Sequence, residues 1–447
     1  MSFTHVAASI GNLIGFVGGT ALTWTSPELS KLENADETPL DQVYSKDSSE
    51  ITWLGAIMPL GAIFGPIIFG FLANKIGRKW SILILAPPFI LCYGLLAFSA
   101  NMTCFLLARL VVGLGVGGVF TVLPMYLSEI ATDANRGVLG ASMNCFICFG
   151  IFFSYAVGPY MSWMYFNLLL TIFPCIFLPL FFIFAPETPH YLLGKGEYQA
   201  ARESLDKLRG GESADELQVI KKMLESTGEG SFFEIFTNKG NKTALIMSLG
   251  LVGFQQFSGI NAVLFFAQDI FTGAGVDLAP EICSIFVGLT QFGTSFVTPL
   301  LSDRLGRKIL LVASAVGMVI AEVPLGLFFY LKDDGQNVAS ISFLPILCLI
   351  FYIITYNSGY GPLPWSVSAE LFPSNVKSIA STFTASFCWF LGFLITLFFP
   401  SISKNIGSGP AFWIFAGFAA GAIPFSMFYV IETKGKNVAD IQAILNK

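Results

Sequence analysis

Twelve apolar stretches follow one another along the chain, each separated from the next by charged or turn-forming residues. A membrane-spanning helix needs about 20 mainly apolar residues, whereas a membrane-spanning β-strand needs about 9–11 that alternate in polarity. Helices also satisfy their own backbone hydrogen bonds in lipid. The pattern therefore predicts an all-α membrane protein with twelve transmembrane helices, at 5–24, 51–73, 80–99, 103–128, 138–160, 162–184, 243–272, 281–302, 308–331, 341–368, 376–400 and 410–431.

A long polar stretch at residues 186–242 separates the sixth apolar stretch from the seventh. It predicts a six-helix half at 1–185, a cytoplasmic linker with short amphipathic helices at 186–242, a second, pseudo-symmetric six-helix half at 243–431 and a tail at 432–447. No basic segment precedes the first apolar stretch, and no clear small-residue cleavage site follows it. We therefore expect a retained first helix and not a signal peptide.

Lysine and arginine are distributed unevenly between the two sides of the predicted membrane protein. Nineteen of the 24 fall in segments that would face one side, and the outer side holds the rest, including Lys31 and Arg109. Because basic loops stay in the cytoplasm, we expect both termini to be cytoplasmic. The expectation is a multi-pass protein of the plasma membrane that functions as a monomer in the lipid bilayer.

Composition excludes several classes of function. Of the 447 residues, 54% are hydrophobic and 12% are charged, against about 25% charged in a soluble domain. A soluble fold cannot cover that much apolar surface, so a soluble enzyme and a disordered regulator are excluded. The net charge of −5 offers no cationic field for nucleic acid. We expect no cofactor and no metal, since the CxxC pair Cys145 and Cys148 lies in an apolar stretch without a second pair.

Three charged signatures recur in the two halves in the same order, which predicts parallel repeats of the kind that build transporters around a central site. They are a Gly-Arg-Lys loop, a Glu followed seven residues later by a basic residue, and a Glu-Thr pair. Basic residues at helix ends also orient helices, but the matched acidic residues favour an ion-pair latch that joins the halves when the cytoplasmic mouth is closed. The candidate latch residues are Arg78, Glu129, Arg136, Glu187, Asp303, Arg304, Arg307, Glu370, Lys377 and Glu432.

In combination, the motifs resemble the sugar porters of the major facilitator superfamily over nearly the whole chain. The motifs are the paired Gly-Arg-Lys loops, Arg109, Pro-Glu-Thr-Pro at 186–189, Gln-Gln-Phe-Ser-Gly-Ile-Asn at 255–261, Gly-Pro-Leu-Pro-Trp at 361–365 and Glu-Thr-Lys-Gly at 432–435. The resemblance implies facilitative transport of a neutral sugar, such as glucose or trehalose, by alternating access. Trp-Thr-Ser-Pro at 24–27 is similar to insect facilitated trehalose and hexose transporters.

Several amides lie inside the apolar stretches, where polar side chains are costly and therefore candidates for function. They can also serve only as hydrogen bonds between helices. A neutral sugar needs amide donors and acceptors beside an aromatic face, and Gln255, Gln256 and Asn261 occur within seven residues. The resemblance to sugar porters adds four further substrate-binding candidates, which are Gln291, Asn144, Trp365 and Trp389.

The tenth apolar stretch is interrupted by Gly361, Pro362 and Pro364. Proline lacks the N–H that a helix needs, so this segment predicts a hinge for a gating half-helix. Phe265 and Phe266 stand where many sugar porters have two tyrosines, which implies a gate without phenolic hydroxyls. Four further departures from the family pattern are Cys388 for Asn, Asn74 for Asp, His190 for Arg and Ile431 for Pro.

The first apolar stretch, at 5–24, contains no acidic residue. Proton-coupled sugar porters have one there, because a proton relay needs a titratable group buried in the path. Glu322 and Asp269 are the clear alternatives inside the later stretches. We therefore favour a uniporter over a proton-coupled sugar symporter, with a non-transporting sugar sensor as a third, weaker hypothesis.

Overall fold

The structure, a computed structural model, is helical throughout the residues that it describes, which contain no β-strand. Eleven of its helical segments are long and apolar enough to cross a membrane. The described residues are 3–45, 48–132, 134–211, 213–226, 233–436 and 438–446.

Six spans form the N-terminal half, and each lies close to an apolar stretch of the sequence. A short helix, α2, continues the first span almost without interruption. The helices of this half are α1 (Phe3–Thr23), α2 (Thr25–Leu29), α3 (Ser49–Ile76), α4 (Arg78–Phe98), α5 (Met102–Ile130), α6 (Arg136–Val157) and α7 (Trp163–Phe184).

The segment between the halves forms four short helices, and one of them buries an apolar stripe. Ala201, Leu205 and Leu208 are fully buried on that helix, and Arg209 at its end donates to the carbonyls of Ile130 and Ala131 at 2.9 and 3.2 Å. These contacts attach the segment to the end of α5. The four helices are α8 (Pro189–Gly194), α9 (Tyr198–Arg209), α10 (Ala214–Ser226) and α11 (Glu234–Thr237).

The C-terminal half repeats the six-span plan with more interruptions. The expected helix at 243–272 is broken at Gly259 and again at Phe266, and the expected helix at 281–302 is broken at Phe296. The break at Phe296 explains why eleven long segments are found among the described residues. It divides the eighth span into two helices, and each of them is too short to be counted. The helices are α12 (Lys239–Phe257), α13 (Ile260–Phe265), α14 (Ala267–Ala274), α15 (Pro280–Ser295), α16 (Val297–Leu305), α17 (Arg307–Asp333), α18 (Leu344–Ser358), α19 (Leu363–Leu371), α20 (Ser374–Ile406), α21 (Ser408–Pro424) and α22 (Val438–Leu445).

Two pairs of helices join the halves: α3 packs along α20, and α6 packs along α15. Within the N-terminal half, α3 and α5 approach closely because Gly61 and Gly113 face each other's backbones. A side chain on either glycine would collide with a carbonyl of the facing helix. Small residues at such crossings are typical of membrane helices, which gain stability from close packing.

Candidate functional site

The three predicted amides lie together in one hydrogen-bonded chain at the break between α12 and α13. Asn261 Nδ2 donates to Gln256 Oε1 at 2.7 Å, and Gln256 Nε2 donates to Cys388 Sγ at 3.0 Å. The Cys388 thiol donates in turn to Gln255 Oε1 at 3.7 Å. The residue that replaces a family asparagine therefore links the two glutamines.

The break in the seventh span brings these amides together. Gly259 has a φ of +80°, which an L-side chain rarely adopts. Backbone groups freed by the break are bonded again, since Ser258 Oγ donates to the carbonyl of Gln255 at 2.7 Å and the Tyr352 hydroxyl donates to the carbonyl of Ser258 at 2.8 Å. A polar segment inside the membrane is therefore stabilised without water.

The tenth span is interrupted between α18 and α19, where the hinge was predicted, and the interruption contacts the amide chain. Gln255 Nε2 donates to the carbonyls of Tyr360 at 2.8 Å and Gly361 at 2.6 Å. Pro362 and Pro364 begin α19 immediately afterwards. The structure thus connects the predicted amides directly to the predicted hinge.

The two tryptophans proposed for the site lie on either side of a phenylalanine from the other half. The Phe120 ring lies 5.5 Å from the Trp389 ring, edge to face, and 6.2 Å from the Trp365 ring. Trp389 is 5% exposed, and its Nε1 donor has no hydrogen-bond partner among the described residues. Sequence reasoning missed Phe120, because a phenylalanine in an apolar helix gives no signal of its own.

The remaining two binding candidates differ in their surroundings. Gln291 is buried on α15, and its Oε1 has no partner among the described residues. Its neighbour Asn357, which was not predicted, donates to the Gln291 carbonyl at 3.4 Å and to Thr294 Oγ1 at 2.8 Å. Asn144 is half-buried on α6, and its described contact, with Cys148 Sγ at 3.9 Å, lies within its own helix.

The predicted gate residues lie in contact between the halves. Thr25 Oγ1 of α2 donates to the carbonyl of Phe265 at 3.1 Å, and the Tyr155 hydroxyl donates to the carbonyl of Leu264 at 2.6 Å. Phe265 and Phe266 are buried. The molecule is therefore closed at this end, which we call the gate face.

The other end of the molecule, the motif face, carries the charged signatures in two similar clusters. In the N-terminal half, Arg78 Nη2 pairs with Glu129 Oε1 at 2.8 Å. The Glu187 carboxylate accepts the backbone N–H groups of Arg78 at 2.9 Å, Lys79 at 3.1 Å and Thr188 at 2.9 Å. Glu187 therefore caps the start of α4, where the helix dipole favours negative charge.

The C-terminal half repeats this arrangement. Arg307 Nη2 pairs with Glu370 Oε1 at 3.3 Å. The Glu432 carboxylate accepts the backbone N–H groups of Arg307 and Lys308, both at 3.1 Å, and of Lys434 at 2.9 Å. The two-fold repeat inferred from the sequence is thus present at the level of individual hydrogen bonds.

The pKa values of the two capping glutamates are shifted in opposite directions. Burial raises the pKa of Glu187 despite its three backbone donors. For Glu432, burial also acts to raise the pKa, but the three N–H donors outweigh it and hold the pKa below its usual value. Burial lowers the pKa of His190.

Of the other latch candidates, Lys377 lies close enough to Arg136 and Glu370 for electrostatic interaction. Arg136 begins α6 and Lys377 lies in the first turn of α20, and both are exposed. Arg304 is exposed too, and its carbonyl accepts from Lys434 Nζ at 2.8 Å. The side chain of Asp303 lies outside the described residues. The ion pairs of Glu129 and Glu370 join residues of the same half, so a latch between the halves stays a prediction.

Comparison with known proteins identifies the family. The family profile described as "Sugar (and other) transporter" matches residues 4–445. The chain belongs to this sugar transporter family. This confirms the resemblance to sugar porters, the expectation that the chain is not an enzyme and the interpretation as a multi-pass membrane protein.

Individual relatives within this family match nearly all of the chain. "Facilitated trehalose transporter Tret1" of Polypedilum vanderplanki is 36% identical over 98% of this chain and 88% of its own length. The protein of the same name from Aedes aegypti is 35% identical over 98% of this chain, which spans 55% of that relative. The E. coli xylose transporter XylE, in a partially occluded inward-open conformation, is 25% identical with a TM-score of 0.81, covering 97% of this chain and 99% of its own.

Two buried charges lie near the gate face. Glu28 and Lys31, of which the sequence assigned Lys31 to the outer side, are 0% and 4% exposed and form an ion pair. Lys31 Nζ also donates to the carbonyls of Gly158 and Met161, both at 2.8 Å. The pair fixes α2 against the ends of α6 and α7, which positions the gate contact of Thr25.

Arg109 is a further buried charge, on a residue that the sequence assigned to the outer side. It is 0% exposed, its Nη1 donates to the carbonyl of Ala21 at 3.1 Å, and its guanidinium lies 4.8 Å from the Trp24 ring. Such a cation–π contact compensates part of the cost of burying the charge. The distribution of basic residues indicates the side of the membrane and not the burial of a side chain.

Proposed function

We propose that this protein is a facilitative transporter, a uniporter that moves a neutral sugar such as trehalose or glucose by alternating access. The observation that carries the proposal is a neutral site with unused hydrogen-bonding groups: Gln291 Oε1 and Trp389 Nε1 are buried and have no partner in the part of the chain that the structure describes. Buried polar groups are nearly always bonded, and sugar hydroxyls can both donate and accept. The relatives named as facilitated trehalose transporters support this substrate class.

In this proposal the substrate site consists of the amides and aromatic rings described above. The amides would bind sugar hydroxyls, while Trp365 and Trp389 would contact the C–H face of the ring. Phe265 and Phe266 would close the gate face, and the segment with Gly361, Pro362 and Pro364 would act as the hinge for the motif face. The amide members of the site are Gln255, Gln256, Asn261, Gln291 and Asn144.

We place the motif face in the cytoplasm of a plasma-membrane protein, with both termini on that side and the chain acting as a monomer in the bilayer. The basic residues of the signatures support this orientation. The two clusters would form the proposed latch when the motif face closes. In this proposal the chain consists of a six-helix half at 1–185, a cytoplasmic linker at 186–242, a second six-helix half at 243–431 and a cytoplasmic tail at 432–447.

Proteoliposome counterflow tests the transport proposal. The purified protein should exchange labelled trehalose or glucose across the bilayer, and its initial rate should stay unchanged when the proton gradient is collapsed. Gln255→Ala and Trp365→Ala should each reduce exchange. Absence of flux with retained sugar binding would favour the sensor hypothesis and exclude a transporter.

A proton-coupled symporter is the second candidate, because Glu322 is buried in the membrane region. It is 2% exposed on α17, and its Oε2 has no hydrogen-bond partner among the described residues. If protons were coupled, a pH gradient would drive sugar accumulation above equilibrium and Glu322→Gln would abolish it. The uniporter predicts no accumulation in either protein.

A further inference from the structure

The tenth span contains a carbonyl group that its own helix cannot satisfy. In a continuous helix the Tyr360 carbonyl would accept from the N–H of residue 364, but Pro364 has no N–H. The Gln255 amide takes that place, at 2.8 Å from the Tyr360 oxygen and 2.6 Å from the Gly361 oxygen. Because carbonyls only accept, these contacts identify the nitrogen end of the amide without ambiguity.

Both hydrogens of the Gln255 amide are used by these two bonds, and its oxygen accepts from Cys388 Sγ at 3.7 Å. A sugar hydroxyl that accepts a hydrogen bond from this amide must therefore replace Tyr360 or Gly361. Binding of a sugar to Gln255 and bonding of Gln255 to the hinge thus compete for the same two hydrogens.

Several hydrogen bonds hold the hinge, and those that join it to α12 come from Gln255. The backbone N–H of Tyr360 donates to Ser314 Oγ at 3.1 Å, and the Tyr360 hydroxyl bonds with Ser426 Oγ at 2.7 Å. These contacts attach the segment to α17 and to the end of the twelfth span. Loss of the Gln255 bonds would free the carbonyl side of the hinge while Tyr360 stays anchored.

We propose that Gln255 is a positioning residue that holds the hinge between α18 and α19 and passes its amide to a sugar hydroxyl when substrate enters the site. Release of Tyr360 and Gly361 then allows α19 to move. The inference rests on the proposed function, since it requires a sugar at Gln255. Gln255 thus has two alternating partners, the hinge carbonyls and the sugar. The hinge responds to substrate because Pro364 has no N–H to donate to the Tyr360 carbonyl.

A double-mutant cycle tests the competition. Pro364→Ala restores an N–H that can bond with the Tyr360 carbonyl, so it should slow maximal counterflow in the wild-type background. In the Gln255→Ala background the same change should restore counterflow at least threefold, because the orphaned carbonyl regains a donor. Pro362→Ala is the matched control. It restores an N–H that would bond to the carbonyl of Ser358 in a continuous helix, and Gln255 bonds to the carbonyls of Tyr360 and Gly361 instead. The effects of Pro362→Ala and Gln255→Ala on counterflow should therefore be independent and multiply.

Hydrogen–deuterium exchange of the wild-type protein gives a readout that does not depend on the folding of variants. Saturating trehalose or glucose should increase exchange in the peptide that contains Leu363 and Ser366. Their backbone N–H groups bond to the carbonyls of Gly359 and Pro362 at 3.0 and 3.3 Å, and these bonds open when α19 moves. Multiplicative effects of Gln255→Ala and Pro364→Ala, or sugar binding without increased exchange, would overturn the inference. If the wild-type protein neither binds nor exchanges any tested sugar, the proposed function itself fails.

Discussion

The ring of Phe120 in the N-terminal half lies edge to face against the ring of Trp389 in the C-terminal half, with centroids 5.5 Å apart. Phe120 also lies 6.2 Å from Trp365. One residue of α5 therefore contacts both tryptophans that the sequence assigned to the substrate site. The proposed site therefore includes contacts between the halves, and a movement of one half against the other would change them.

Replacing Phe120 tests this relationship. Edge-to-face aromatic pairs contribute about 0.5–1.5 kcal/mol beyond burial, so Phe120→Ala should weaken sugar binding by about three- to tenfold. Phe120→Tyr keeps the ring and should retain most of the affinity. The measurement is the KM for sugar in proteoliposome counterflow, and an unchanged KM for Phe120→Ala would remove this residue from the site.

The gate face should open more readily when its cross-half hydrogen bonds are removed. Thr25→Val deletes the bond to the Phe265 carbonyl, and a net contribution of about 1 kcal/mol predicts about a fivefold shift toward open molecules. Distances between labels at exposed Asp36 and Asn337, attached through unnatural amino acids, would report the opening. Thr272→Val is the control, since Thr272 Oγ1 donates to Gln268 within its own helix, and an equal shift there would contradict the gate assignment.

Gly392 provides the space that the amide chain occupies beside α20. A methyl group at this position would lie 2.5 Å from Asn261 Nδ2 and 3.4 Å from Gln256 Oε1. Gly392→Ala should therefore displace Asn261 and reduce sugar affinity at least tenfold, as measured by equilibrium binding. Gly417→Ala on α21 introduces the same methyl group into open space, and it should bind sugar like the wild type.

The two signature clusters differ in the hydrogen bonding of their threonine hydroxyls, which makes a pair of variants informative. Thr188 Oγ1 donates to Glu129 Oε2 at 2.6 Å, whereas the equivalent atoms, Thr433 Oγ1 and Glu370 Oε2, have no partners among the described residues. A hydrogen bond to a charged group contributes about 1.5–3 kcal/mol. Thr188→Val should lower the melting temperature in detergent clearly, and Thr433→Val should lower it little. Equal losses would show that the clusters are equivalent.

The capping glutamates should affect stability with opposite dependence on pH. The pKa of Glu432 is lowered in the folded protein, burial being outweighed by three N–H donors, so its contribution is present at neutral pH and is lost as pH falls through that pKa. Glu432→Gln should cost about 1 kcal/mol at neutral pH and nothing in acid. Burial raises the pKa of Glu187, so its ionisation works against folding as pH rises.

Melting temperatures measured from about pH 3 to pH 7.5 would distinguish the two glutamates. The difference between wild type and Glu432→Gln should grow from the acid end of this range to about pH 5 and stay constant above it, because the pKa of Glu432 is about 4.3 in an unfolded chain and lower in the folded protein. The wild type should lose stability relative to Glu187→Gln over the same range, because the glutamine cannot ionise. Parallel curves for both variants would contradict the assigned pKa directions.

Much of the architecture was predictable, because lipid allows few alternatives for a spanning segment. The hinge at 359–362 was predictable as well, since its glycines and prolines cannot continue a helix. The breaks at Gly259 and Phe296 were not predicted. A single glycine in an apolar stretch is often tolerated, and Phe296 differs in no visible way from other phenylalanines of the chain.

For the site, the sequence identified the residue types but not their partners. It grouped Gln255, Gln256 and Asn261 as binding amides, whereas the folded chain determines that Gln255 bonds to the hinge and that Cys388 joins the two glutamines. The acidic signatures were recognised as a set, yet their partners within each half were visible only in the structure.

The sequence by itself determined the spans, the two-fold repeat and the chemical character of the site, because hydropathy, proline, glycine and charge act locally along the chain. Tertiary structure alone decided the contacts between distant segments. Phe120 meets Trp389 because α5 and α20 lie in facing halves. Glu28 and Lys31 are buried because the segment after α1 packs against the ends of α6 and α7. Such contacts depend on how helices pack, and a polarity pattern contains no information about which helix a side chain will face.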